Sequence, residues 1–364
     1  MEPIDSKVEA VTLQGTGGAK KVASPKGLLP KDLRKAGLLE TSDVEGLLQL
    51  LFHLGCLAVC MVAVNWCYSH GRWGLLLLVE LPFGIAESFL FNGFHEMVHN
   101  TAFSTQALNS VLAEVLGFFN FRGAKWFWCF HWTHHRFTND PVKDPELSGE
   151  SLDLEDPTRS AAAYAAFLSG YPFGFERIHR MYSLAVGRLS LDPWVADKPP
   201  ATQRFVRIEA GAFCAGYAAL ALLALAYPSS VGVKLVLFWL LPHCLGAGHL
   251  RMYQFAEHRA CQMGPYTDTN AWACARTTTT WWFYCKLAWQ MPYHVEHHAY
   301  PNVPFHRLKA AHELVKAAYA KEGLTQAPSG CNPGGDDGYL ALHTEMFRHM
   351  LGNHAAAAKA AKAA

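Results

Sequence analysis

The sequence predicts an all-α integral membrane protein: four transmembrane helices in two hairpins, beneath a cytosolic helical cap that holds a metal site. Three observations predict it. Four stretches are apolar and long enough to cross a bilayer, which takes about 20 residues. Lysine and arginine gather on one side of those stretches. Eight histidines fall into three short clusters that an even number of crossings places on one face. Composition agrees, with 51% hydrophobic residues and only 17% charged, low for a soluble protein.

Residues 1–45 mix Lys7, Lys20, Lys21, Lys26 and Lys31 with Glu2, Asp5, Glu9 and Asp32 and contain no apolar segment. They read as a flexible N-terminal tail, not a signal peptide. Gly15-Thr-Gly-Gly18 belongs to that tail, because no strand precedes it as a phosphate loop requires. The first span runs from about Gly46 to Asn65 and the second from about Trp73 to Phe94. The third runs from about Ile208 to Tyr227 and the fourth from about Val231 to Leu250. Short turns, Cys67–Arg72 and Pro228–Ser230, join each pair into a hairpin.

Parity then orders the rest. Each hairpin goes out and back, so residues 95–135 and 294–298 emerge on the side where the chain began. Three or five spans would divide the histidines between two faces. The connection 122–207 carries Arg122, Lys125, Arg136, Lys143, Arg159, Arg177, Arg180, Arg188, Lys198, Arg204 and Arg207, whereas the short turns have only Arg72 and Lys234 at their edges. By the positive-inside rule the histidine face and the N-terminus are cytosolic. Ala107–Phe121 and Ala161–Phe175 are too short and interrupted to span and read as interfacial or buried helices. Trp126, Phe127, Trp128 and Phe130, and Trp281, Trp282, Phe283, Tyr284 and Trp289, suit a membrane-interface belt. Glu80 and Glu87 lie inside the second span, where a charge is costly unless paired or turned to the bundle interior.

The clusters are His95-Glu-Met-Val-His99, His131-Trp-Thr-His134-His135 and His294-Val-Glu-His297-His298. On a helix, positions i, i+3 and i+4 share a face, so each cluster can close as one claw. Neutral imidazole is the commonest side-chain metal ligand, and eight are too many for one four-coordinate zinc. They suit two metals. Glu96, Asp140, Glu257 and Glu296 lie close enough in sequence to be ligands or to orient the imidazoles. His258, just beyond the fourth span on the cluster side, is a candidate ninth ligand. His249, at the end of that span, is a weaker one, and His243 lies within it. His53, His70, His179, His306, His312, His343, His349 and His354 read as ordinary polar residues. Ten cysteines include no C-x-x-C pair, and their spacing suggests neither a zinc site nor a disulfide framework. A net charge of +1 gives no electrostatic case for nucleic acid.

These boxes carry a family resemblance. Phe94-His-Glu-Met-Val-His99, His131-Trp-Thr-His-His-Arg136 and Tyr293-His-Val-Glu-His-His298 resemble the three histidine boxes of membrane fatty acid desaturases and their hydroxylase and ketolase relatives. Asn139-Asp140-Pro141, Tyr300-Pro-Asn-Val-Pro304 and the Glu257-His258 pair look like the family's flanks. The resemblance covers about residues 46–315, which makes 46–315 the expected desaturase domain and 316–364 a C-terminal cytosolic tail. It implies a non-haem di-iron centre on the cytosolic face of a four-span bundle, with His95, His99, His131, His134, His135, His258, His294, His297 and His298 as metal ligands. It implies O2 as co-substrate, a long-chain acyl lipid as substrate and membrane lipid as surroundings. No His-Pro-Gly-Gly haem motif occurs in the chain. The expected electron donor is therefore a separate b-type cytochrome or ferredoxin with its reductase. The endoplasmic reticulum is the expected membrane, with a plastid or bacterial inner membrane as alternatives. Two rival readings remain at this point. One is oxygen insertion by a hydroxylase or ketolase acting on a lipid or carotenoid. The other is a zinc intramembrane protease, since His95-Glu-Met-Val-His99 also fits H-E-x-x-H with Glu96 as base.

Overall fold

A computed structural model describes residues 30–148, 157–258, 261, 274–278, 280–321 and 338–363; the expected tail before residue 30 lies outside them. Among the described residues there is no strand, and one antiparallel bridge joins Thr277 to Tyr293. Four helices are long and apolar enough to cross a membrane: Asp43–Ser69, Trp73–Val98, Pro200–Ala226 and Pro228–His258. Each is longer than its sequence estimate because the helix continues past the apolar stretch into polar residues. Ser42 starts the first, its hydroxyl accepting from the Glu45 amide at 3.3 Å, which spares one of the helix's orphan donors. The polar extensions of the second and fourth spans carry His95 and His258.

The second span lies between the first and the fourth. It crosses the fourth at two glycines. A Cβ on Gly84 would sit 2.7 Å from the Pro242 carbonyl oxygen, and one on Gly246 would sit 2.1 Å from the Gly84 carbonyl oxygen. Small residues let the backbones touch, and close packing is what holds helices together in lipid. Pro82 sits inside the second span, which breaks only at Phe89 and resumes as Leu90–Val98. The fourth winds through π-helical turns at Pro228–Gly232 and Val236–Leu240 just before Pro242, whose ring crowds the preceding turn and offers no amide donor.

The cap assembles over these ends. Helix Ala124–Phe137 carries the second histidine box. Its first amides, Lys125 N and Trp126 N, donate to the Glu209 carboxylate of the third span at 2.6 and 3.2 Å, tying cap to membrane at a helix N-terminus that favours an anion. Helix Tyr171–Ala185 packs along the third span and turns Phe175, Ile178 and Tyr182 outward. Within the span, Glu87 pairs with His243 at 2.9 Å, while both oxygens of buried Glu80 lack a hydrogen-bond partner.

Core packing extends on both sides of residues 46–315, and the aromatic belts divide between core and surface. Pro30–Lys35 is helical, and Leu33 and Leu38 join the core, so apolar side chains inside the expected tail bind residues 30–45 to the domain. The expected boundary at 315 falls inside helix Phe305–Lys321, whose Leu308, Val315 and Tyr319 are buried on both sides of it; Met346 and Met350 of helix Gly338–Ala363 are buried as well. Trp126, Phe127 and Phe130 are buried beneath the histidines rather than placed in an interfacial belt, and so is Trp289, whereas Trp281 and Trp282 are exposed.

Candidate metal centre

The three boxes and His258 meet at one place. His95 and His99 hang from the last turn of the second span. Asn100, at φ 61°, ends that helix in a left-handed conformation asparagine tolerates. His131, His134 and His135 occupy the last turns of Ala124–Phe137, stopped by Thr138 and by Asn139 at φ 60°. His294, His297 and His298 form the short helix His294–Ala299, entered through Trp289 and Gln290 at φ 54° and 59°. His258 is the last residue of the fourth span.

Their Nε2 atoms converge in two groups. In the first, His95, His99, His131, His135 and His297 place their ligand atoms within 4.8 Å of one another. Nε2–Nε2 separations there are 2.5 Å for His95–His131, 3.1 Å for His95–His99, 2.9 Å for His131–His135 and 3.1 Å for His135–His297. The second group is His134, His258 and His298. His294 joins it, its Nε2 2.9 Å from that of His258 and 3.1 Å from that of His298. The sequence reading named these nine residues, and the structure gathers all nine. His249 lies elsewhere, hydrogen-bonded through Nδ1 to Ser88 and through Nε2 to the Tyr284 hydroxyl.

Burial keeps most of these rings neutral. His99 is pushed down to about 3 by desolvation. His131, His135, His294, His297 and His298 lie well below the usual histidine range because of burial and their neighbouring imidazoles. At His134 burial also disfavours the cation, but the Asp144 and Glu146 carboxylates outweigh it and raise the group to about 9. Neutral imidazoles facing one another through Nε2 bring lone pairs together, and one proton can bridge only one pair. A cation at the centre of each group removes that conflict, so the donor set fits metal ions. All-imidazole sites suit iron, copper, nickel or zinc.

The carboxylates sort themselves. Glu96 Oε2 accepts from the Thr101 hydroxyl at 2.7 Å and the Phe305 amide at 3.2 Å, tying the first box to the chain after the third. Glu296 accepts from Thr277 and His312 at 2.6 and 2.7 Å. Asp140 accepts from the amides of Val142 and Lys143. These three are occupied in building the loops. Glu257 Oε1 stands 3.4 Å from His294 Nδ1. Sequence reasoning missed Asp144, whose Oδ1 takes His134 Nδ1 at 2.9 Å; its position, ten residues past His134, gave no helical spacing to find it by. Below the first group, Phe91 lies parallel to His95 with ring centroids 6.3 Å apart, and Phe127 stacks on His131 at 5.0 Å. A small cavity of about 20 Å³ lies beside both groups, bounded by Phe91, Asn92, Met291, Gln254 and Glu257.

Residues 71–330, well over half the chain, match the family model described as fatty acid desaturase. This chain belongs to the fatty acid desaturase family. Dihydrorhizobitoxine desaturase of Bradyrhizobium elkanii is 23% identical over 285 residues, covering 76% of each chain. Family membership and the four apolar helices make the protein an integral membrane oxidoreductase of the desaturase type, with the histidine cluster as its metal-binding feature.

Proposed function

We propose that the protein is an O2-dependent di-iron lipid desaturase that introduces a double bond into a long fatty-acyl chain. The carrying observation is the convergence of nine imidazoles in two groups beside the ends of the second and fourth spans. His95, His99, His131, His135 and His297 would hold one iron, and His134, His258, His294 and His298 the other. Bound there, the irons supply the oxidising power to break unactivated C–H bonds; the protein's part is position and dryness. The balance is R–CH2–CH2–R′ + O2 + 2 e⁻ + 2 H⁺ giving R–CH=CH–R′ + 2 H2O. Two electrons come from a separate b-type cytochrome or ferredoxin and its reductase. Phe91, Phe94 and Phe127 exclude water beneath His95 and His131.

The relative's name is that of a desaturase, which supports loss of hydrogen over insertion of oxygen. The occupation of Glu96 by Thr101 and Phe305 weighs against its acting as the base of a zinc protease. Two hairpin crossings, with the histidines and the N-terminus on the cytosolic side, account for one shared site and for the basic connection 122–207. The endoplasmic reticulum is the membrane we assign. Expression in yeast with lipid profiling by mass spectrometry tests the reading. A new lipid lighter by two hydrogens is expected; a lipid heavier by one oxygen would establish the hydroxylase alternative instead. Metal analysis should give about two irons per chain, and one zinc would revive the protease reading.

A further inference from the structure

The two histidine groups are held in different ways. In the group of His134, His258, His294 and His298, three of the four outer nitrogens meet acceptors. His134 Nδ1 is 2.9 Å from the Asp144 carboxylate, and His258 Nδ1 is 3.0 Å from the Cys274 carbonyl oxygen. Neither partner can donate, so both rings hold a proton on Nδ1 and leave Nε2 as the nitrogen available to a metal. His298 Nδ1 is 3.2 Å from the Thr138 hydroxyl, which already donates to the His134 carbonyl at 2.8 Å and therefore accepts from the ring. His294 is the exception: its Nδ1 lies 3.4 Å from Glu257 Oε1 but makes no hydrogen bond. Asp144 is itself fixed by the amides of Asn139 and Glu146 at 2.7 and 2.9 Å.

In the group of His95, His99, His131, His135 and His297, the pattern is reversed. The Nδ1 atoms of His99, His131, His135 and His297 are buried without a hydrogen-bond partner. Aromatic faces orient these rings instead: Phe127 on His131, Phe91 on His95, and Trp132 against His99. An imidazole that donates through its outer nitrogen is a more basic ligand locked in one tautomer, and loss of such a partner typically costs about 10–100-fold in metal affinity. A ring held only by stacking has neither advantage.

We propose that the two metal positions are unequal, with Asp144, Thr138 and the Cys274 carbonyl making the His134/His258/His294/His298 position the tight one that fills first, and the five-histidine position the one that exchanges. The inference rests on the di-iron reading above and adds an order of loading to it. Asp144 and Thr138 are positioning residues: they act on the metal through His134 and His298.

The test uses the full chain purified in detergent, loaded anaerobically with Fe(II) and challenged with a chromophoric chelator while retained iron is measured. The wild type should release one iron quickly and one slowly. Asp144→Asn should accelerate the slow phase about 10–100-fold and leave the fast phase unchanged. Thr138→Val, which removes the acceptor of His298 without touching the Asp144 loop, should move the same phase in the same direction, so a folding defect in one variant leaves the other decisive. A wild type that holds fewer than two irons overturns the di-iron reading itself. Two irons released in a single phase, or a variant that moves the fast phase, leaves that reading intact and overturns the inequality.

Discussion

Gly246→Ala is a single methyl group placed where two membrane spans touch, and its consequence can be followed to the metal centre. The new Cβ would lie 2.1 Å from the Gly84 carbonyl oxygen, where ordinary contact begins near 3.4 Å. The neighbour is backbone, so no side-chain rotation relieves the clash, and the second and fourth spans must part by about 1.3 Å. The second span carries His95 in its last turn and the fourth ends in His258, so the movement is passed to both histidine groups. Metal sites tolerate only about ±0.2 Å in their ligand distances. Overpacking of this kind costs roughly 1–3 kcal/mol. A helix-interior Gly→Ala exchange in open space gains about 0.5–1 kcal/mol. Gly55→Ala is that control, since nothing lies within 4 Å of its Cβ position on the first span. Iron per chain and thermal unfolding in detergent are the measurements. Gly246→Ala should lower both, and Gly55→Ala neither. If Gly246→Ala matched Gly55→Ala in iron content and melting, the glycine contact would not set the geometry of the site.

Other perturbations give equally definite outcomes. His134→Ala or His297→Ala should abolish turnover while the chain remains in the membrane fraction, and full turnover in either variant would remove that residue from the ligand set. His258→Ala should be as severe, because its Nε2 lies among those of the second group. His249→Ala should be milder, because it breaks only the contacts to Ser88 and Tyr284; the reverse order in iron content would move the ninth ligand. In the chelator-stripped chain, His99 at about 3 binds its proton later than in the unfolded state, near 6.5. Its contribution is therefore intact above pH 6.5 and falls as pH drops from 6.5 toward 3, by up to about 1.4 kcal/mol per pH unit. The five other outer histidines with lowered values add to that acid loss. His134, raised to about 9, works the other way: its contribution is whole below pH 6.5 and fades as pH rises toward 9. Melting curves of the stripped chain should therefore collapse more steeply on the acid side than on the alkaline side, and equal limbs would contradict these assignments.

The histidines were legible because their spacing obeys the helix. Positions i, i+3 and i+4 share a face whatever the tertiary fold, and counting apolar stretches was enough to bring three distant faces together. His258 was legible for the same reason, as the residue where an apolar run gives way to polar sequence. The surroundings were not, because they depend on contacts between residues with no common period. Phe127 and Trp126 have the composition of an interfacial belt, and only packing against His131 and the third span shows them to be the dry floor of the site. The candidate carboxylates illustrate the limit most sharply. Glu96 and Glu296 stand inside the boxes, next to the histidines in sequence, and for that reason point off the histidine face of their helices, where they bind Thr101, Phe305, Thr277 and His312. Asp144 stands outside the box, beyond the break at Asn139. The chain reverses there and returns its carboxylate to His134. Side chains that support a ligand from behind have to come from a different turn or element than the ligand itself, and proximity in sequence is a poor guide to them for a geometric reason: a helix points its neighbours away.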